Sequence, residues 1–377
     1  MRTLAILDST LREGEQFTGA CFTFDQRIAI ARLLDAIGVT FLEVPSPIAS
    51  PETQQAVLAL CNLNLHAHVV AHVRCVEADV LAALAMPVYG LNLFYGTSTQ
   101  LRTFSHGRRI EQMIADAVPL VRRVRAVGRY VRFSAEDAFR SDLVDLLHVF
   151  DAVVAAGVQR IGLPDTVGIA TPRQVEQLVR LCHERYPHVG VEFHGHNDTG
   201  CATANTLAAL EAGADCLDVT ALGIGERNGI ASLSGLVAQL YIHYPELLAA
   251  YDLTQVAPLD QFVAASLGLV IPFNTPITAP SAFTHKAGVH TKAVLHNPRA
   301  YEVLDPADFG LMRHVDIGSR VTGRYAVGHR VAALGLHLSN TEIATLTHDL
   351  KARAEAGTLN QIEVDAFIQN WCAAVGA

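Results

Sequence analysis

A chain of 377 residues, half of them hydrophobic and 17% charged, carries enough apolar material for a sizeable core and excludes a disordered or collagen-like polymer. A net charge of −9, with no basic stripe interleaved with aromatics, argues against nucleic acid as a partner. The seven cysteines (Cys21, Cys61, Cys75, Cys182, Cys201, Cys216 and Cys372) are scattered and never form a CxxC pair, so they read as reduced thiols of a cytoplasmic protein. The first residues run directly into a strand pattern, which leaves no room for a signal peptide. No apolar run reaches the roughly 18 residues needed to span a bilayer.

From residue 4 onward, short apolar runs alternate with amphipathic stretches. The runs cover residues 4–8, 40–44, 67–73, 89–95, 130–134, 160–163, 189–194 and 216–220. Between them lie helical patterns such as 24–37, 110–126, 142–156 and 172–186, the last opened by Thr171 as N-cap and Pro172 in the first turn. Gly38, Gly128, Gly157 and Gly213 mark turns back to the next strand. Arg108, Arg109, Arg122, Arg123 and Arg125 form the solvated face of one helix. Such alternation over about 250 residues matches an α/β fold of the (β/α)8 barrel type better than an open doubly wound sheet. The expected organisation is a catalytic barrel over 1–250, a loop-rich linker over 251–318, and a small helical region over 319–377 in which Asn340 caps a helix.

The polar residues fall at one end of the expected strands. Arg12 and Glu13 follow the first, Glu43 ends the second, His72 ends the third and Asn92 lies in the fourth. Arg132, Ser134 and Glu136 close the fifth, Asp165 and Thr166 follow the sixth, and His194 and His196 close the seventh. Barrel active sites are built at the carboxyl ends of the strands, so this placement predicts an enzyme. His66 and His68, at the start of the third strand, belong instead to the opposite rim.

His194 and His196 are two residues apart on a strand and point the same way, as two ligands of one ion must. Glu13 is a candidate third ligand, which would leave open positions for a bidentate 2-oxo acid. Arg12 beside it would stabilise charge developing on the ketone oxygen, the alternative being an ordinary Arg12–Glu13 loop ion pair. Arg132 with Ser134 suits a second anion, the alternative being a buried charge paired with Glu136 or Glu43. The glycine-rich stretch 223–229 has the wrong spacing for a dinucleotide loop and reads as a mobile cover over the substrate, or as a plain turn.

Four ordered motifs carry a resemblance: Asp8 to Gln16 (DSTLREGEQ), His194 to Gly200 (HGHNDTG), Leu222 to Gly229 (LGIGERNG) and His285 to His290 (HKAGVH). Together they resemble the acyl-CoA condensing branch of the metal-dependent barrel lyases, the isopropylmalate synthase and homocitrate synthase family, with the homocitrate synthases as the best match. The resemblance implies a divalent cation, with Mg, Mn and Zn not distinguished, on Glu13, His194 and His196, and acetyl-CoA as co-substrate. It implies that Arg12, Gln16 and Thr166 contact the oxo-acid end of 2-oxoglutarate while His72, Arg132 and Ser134 hold its distal carboxylate. Glu136 is implied as the acid/base group, with His290 and Tyr301 contributed by the other subunit of a homodimer. Departures are Asn92 in place of the aspartate of lysine-biosynthetic members, Pro45, Ala71 and Pro164 near strand ends, and Leu295 for a tyrosine. Other 2-oxo acids (2-oxoisovalerate, pyruvate, oxaloacetate or phosphonopyruvate), a lyase running the reverse cleavage, and a catalytically silent binding barrel are the alternatives.

Overall fold

The computed structural model describes residues 4–376. Eight parallel strands close into a barrel in sequence order: β1 (Ala5–Asp8), β2 (Phe41–Val44), β3 (His68–Arg74), β4 (Gly90–Gly96), β5 (Tyr130–Glu136), β6 (Arg160–Asp165), β7 (Gly190–Gly195) and β8 (Cys216–Val219). Closure comes from β1 pairing with β8, where Leu7 is opposite Asp218. The expected barrel and its strand positions are therefore observed to within a residue or two.

Local chemistry explains the intervening helices. Phe24–Ile37 opens with a Thr23–Gln26 capping box and ends on Gly38 at φ +96°, a left-handed position that suits a residue without Cβ. Leu143–Ala156 is capped by Asp142, and Pro172–Arg185 by Thr171 with Pro172 in the first turn. Each lays an apolar stripe against the barrel, as with the fully buried Val149, Phe150 and Val153. Inside the barrel, the amino-terminal end is sealed by Leu7, Phe41, Val70 and Cys216. His68, the first residue of β3, stacks on Tyr89 at 3.8 Å, and the side chain of His66 is almost wholly exposed, so both keep to that rim.

The chain divides into two compact units, the first ending at Thr278 and the second beginning at Ala279. The boundary expected at residue 250 falls inside the first unit. Helix Val256–Leu267 packs beside Phe24–Ile37 and buries Val256, Leu259 and Val263. Its Pro258 sits in the first turn, where a missing N–H costs nothing. Nor is the rest of 251–318 all loop, since it includes helix Gly288–His296.

In the second unit, a short parallel pair joins Thr284–His285 to His314–Val315. Helices Arg324–Ala333, Asn340–Ala354 and Gln361–Val375 enclose a core of Val327, Leu346, Leu350 and Ile368. The cap of the middle helix is Ser339, whose Oγ accepts from Glu342 N, while Asn340 is its first helical residue. No helix among the described residues is long and apolar enough to cross a membrane.

Candidate active site

At the carboxyl ends of the strands lies a cavity of about 310 Å³. Its walls include Arg12, Glu13, Gln16, His72, Asn92, Arg132, Ser134, Glu136, Thr166, His194 and His196, whereas Glu43 and Asp165 do not line it. The volume is at the lower end of the range that accommodates small ligands.

Glu13, His194 and His196 converge. Their ligating atoms all lie within 4.8 Å of one another, and all three side chains are buried. Burial alone would raise the Glu13 carboxyl, but Arg12, both histidines and the Glu226 N–H outweigh it and hold the pKa down to about 2. Burial, reinforced by the neighbouring His194, lowers His196 to about 4, so its imidazole is neutral. His196 Nδ1 is buried without a hydrogen-bond partner. An ionised carboxylate and two imidazoles, one of them with an orphaned ring nitrogen, are a donor set that fits a divalent cation.

Two arginines organise the remaining walls. Arg12 reaches Glu43 through Nε at 2.7 Å and Glu13 through Nη1 at 2.5 Å, with Asp218 3.8 Å from Nη2. The expected Arg12–Glu13 ion pair thus exists, but as part of the site. Arg132, 3% exposed, donates to both Glu43 and Glu192, while its Nε has no hydrogen-bond partner among the described residues. Of the two partners suggested by the sequence, Glu43 is real and Glu136 is replaced by Glu192. Glu43 loses solvation through burial, yet Arg12 and Arg132 together hold its pKa well below the carboxylate range.

His72 stacks on Phe94 at 4.2 Å, and burial lowers its pKa in spite of Glu43 nearby. Asn92 links this side, lying 2.7 Å from His72 Nδ1, donating to Glu43 at 3.0 Å and accepting from Ser134 Oγ at 3.0 Å. Gly162 of β6 leaves the space that Ser134 fills, since a Cβ there would collide with its hydroxyl. Burial and adjacent Asp137 raise the pKa of Glu136. Thr166 Oγ1 accepts from Asp137 N at 2.9 Å.

The loop after β8 folds over Glu13. Glu226 N donates to Glu13 Oε1 at 2.8 Å, and a Cβ on Gly225 would stand 2.8 Å from the same oxygen. Arg227 clamps Asp198 at 2.8 Å and the Thr166 carbonyl at 2.7 Å. Two non-glycine residues here hold positive φ, Leu222 at 56° and Arg227 at 55°. The first is fixed by buried Asp260, which accepts from Leu222 N and from Thr278 Oγ1. In the second unit, the rings of His290 and Tyr301 lie 4.3 Å apart, and His285 Nε2 is 2.7 Å from Glu302.

Glu192 and Asp218 line the cavity but were not singled out from the sequence. The signal for Glu192 was available, because strand periodicity of two places it on the face of His194. Asp218 sits between Leu217 and Val219 on a short strand whose register is set by pairing with β7 and β1.

A closed barrel with a carboxylate and two histidines at its carboxyl end defines a candidate metal-binding barrel enzyme, and comparison gives it a family. A family model described as HMGL-like matches residues 3–263, and one described as homocitrate synthase post-HMGL domain-like matches 277–358. The cytosolic isozyme of homocitrate synthase from Saccharomyces cerevisiae is 44% identical over 98% of this chain and 86% of its own length. The mitochondrial homocitrate synthase of Yarrowia lipolytica is 45% identical over 98% of this chain and 83% of its own. A solved HMG-CoA lyase from Bacillus subtilis has a TM-score of 0.64 at 18% identity, over 72% of this chain and 96% of that one, a likeness of fold alone. The chain belongs to the homocitrate synthase family.

Proposed function

We infer that the protein condenses acetyl-CoA with 2-oxoglutarate to give homocitrate and free coenzyme A. The observation that carries this reading is the convergence of Glu13, His194 and His196 beside two arginines in a cavity of a chain 44% identical to a homocitrate synthase. A divalent cation held by these three residues would act as a Lewis acid toward the 2-oxo acid. Arg12, Gln16 and Thr166 face the oxo-acid end, where Arg12 stabilises negative charge developing on the ketone oxygen as the new bond forms. His72, Ser134 and the unpartnered Nε of Arg132 supply donors for the distal carboxylate.

Chemically, a methyl proton leaves acetyl-CoA, and the resulting carbanion bonds to C2 of the 2-oxo acid, whose oxygen takes up a proton. Water then cleaves the thioester and releases the coenzyme A thiol. Glu136, whose pKa is raised by burial and by Asp137, is the acid/base group in this chain. His290 and Tyr301 of the partner subunit complete the site in a homodimer, and their adjacency supports a joint role. All seven cysteines are free, which supports a cytoplasmic location. The proposed division is a barrel, a connecting segment that serves the neighbouring site, and a helical tail.

The test is thiol release from acetyl-CoA with a panel of 2-oxo acids. The expected preference is 2-oxoglutarate by at least about tenfold over 2-oxoisovalerate, the worth of one charge-assisted contact. Preference for 2-oxoisovalerate or pyruvate would overturn the distal-anion assignment. Preference for oxaloacetate or phosphonopyruvate would keep that anion site and overturn the homocitrate assignment.

A further inference from the structure

Asp218 is 1% exposed and has both carboxylate oxygens engaged. Oδ2 lies 2.6 Å from His194 Nδ1, and Oδ1 accepts from Ser9 Oγ at 2.6 Å. Ser9 is itself fully buried, directly after β1, and its N–H donates to the Val219 carbonyl at 2.9 Å. The seam between β1 and β8 therefore delivers the two residues to each other. A carboxylate can only accept, so His194 carries its proton on Nδ1 and keeps the Nε2 lone pair for the cluster. With both oxygens tied, the carboxylate cannot rotate, and the imidazole plane is set with it. Arg12 Nη2, 3.8 Å from the same carboxylate, shares this alignment. His196 differs, since its Nδ1 has no hydrogen-bond partner among the described residues.

We propose that Asp218, anchored by Ser9, is a positioning residue that sets the tautomer and aim of His194 and so tunes the cation affinity of the Glu13–His194–His196 cluster. This rests on the reading of that cluster as a metal site. The carboxylate contributes in two ways: it aligns the ring before the cation arrives, and it makes Nε2 a stronger donor by stabilising positive charge on the imidazole.

The experiment titrates Mn²⁺ into the full-length, chelator-stripped protein by calorimetry. Asp218→Asn, which is isosteric and removes the charge, is expected to bind Mn²⁺ about 10–100-fold more weakly. Its thermal midpoint without metal and its KM for acetyl-CoA should stay at wild-type values, and saturating Mn²⁺ should restore most of kcat. Ser9→Ala, which removes only the anchor, is expected to weaken binding by roughly 2- to 10-fold. Wild-type affinity in Asp218→Asn overturns the proposal, as does a loss of kcat that saturating Mn²⁺ does not restore. If Asp218→Asn does not fold, wild-type affinity in Ser9→Ala overturns it instead. Absence of Mn²⁺ binding by the wild type would overturn the metal-site reading itself, and the proposal with it.

Discussion

Replacing Arg132 by leucine tests how the floor of the site is held. The guanidinium is 3% exposed, and its partners Glu43 and Glu192 are 0% and 2% exposed, so none of the three has water to fall back on. Breaking a buried ion pair by removing one partner costs about 3–5 kcal/mol, because the stranded charge stays buried. Glu43 keeps Arg12, whose Nε is 2.7 Å away, so the loss falls mainly on Glu192. Burial already pushes the Glu192 carboxyl upward in spite of Arg132, so without the arginine its ionised form would be left buried and uncompensated. Arg132→Leu is therefore expected to lower the unfolding free energy by about 3–5 kcal/mol in urea denaturation followed by circular dichroism. Adding Glu192→Gln should recover on the order of 2 kcal/mol, since the amide needs no counter-charge. A loss below about 1 kcal/mol in the single variant, or equal losses in single and double variants, would refute this account of the floor.

His196→Ala should abolish divalent-cation binding and thiol release while leaving the circular dichroism spectrum unchanged; full activity after exhaustive chelation would contradict the metal assignment. Glu136→Gln should reduce kcat by roughly 10²–10⁴-fold. Because burial and Asp137 raise the Glu136 pKa, the wild-type kcat/KM should fall as pH drops through a value above the usual carboxylate range, and the variant should lose that limb. Co-refolding Glu13→Ala with His290→Ala should restore partial activity through mixed dimers that hold one intact site; no recovery, with subunit exchange verified, would argue for sites built from one chain.

Much of the site was legible because its residues end predictable strands. His72, Arg132, Ser134 and His194 fall on inward positions that a period of two assigns once each strand is recognised. Pairings were harder to read. Arg132 and Glu192 lie on β5 and β7, with β6 between them, and nothing local indicates that a side chain from one reaches the other across the barrel interior. Glu136, a plausible partner by nearness in sequence, instead ends β5 and lines the cavity.

The sequence by itself determined the barrel and its strand ends, because hydrophobic period, caps and turn glycines are local properties that survive without knowledge of the partners; it offered Glu13 only as a candidate companion of the two histidines. Only the tertiary structure decided the charge network beneath them. Closing β1 against β8 brings Ser9 to Asp218 across more than 200 residues, and pairing β7 with β8 brings Asp218 to His194 across 24. Burial then forces each carboxylate to a specific cation or donor, and which one it finds depends on strand register and barrel curvature rather than on neighbours along the chain.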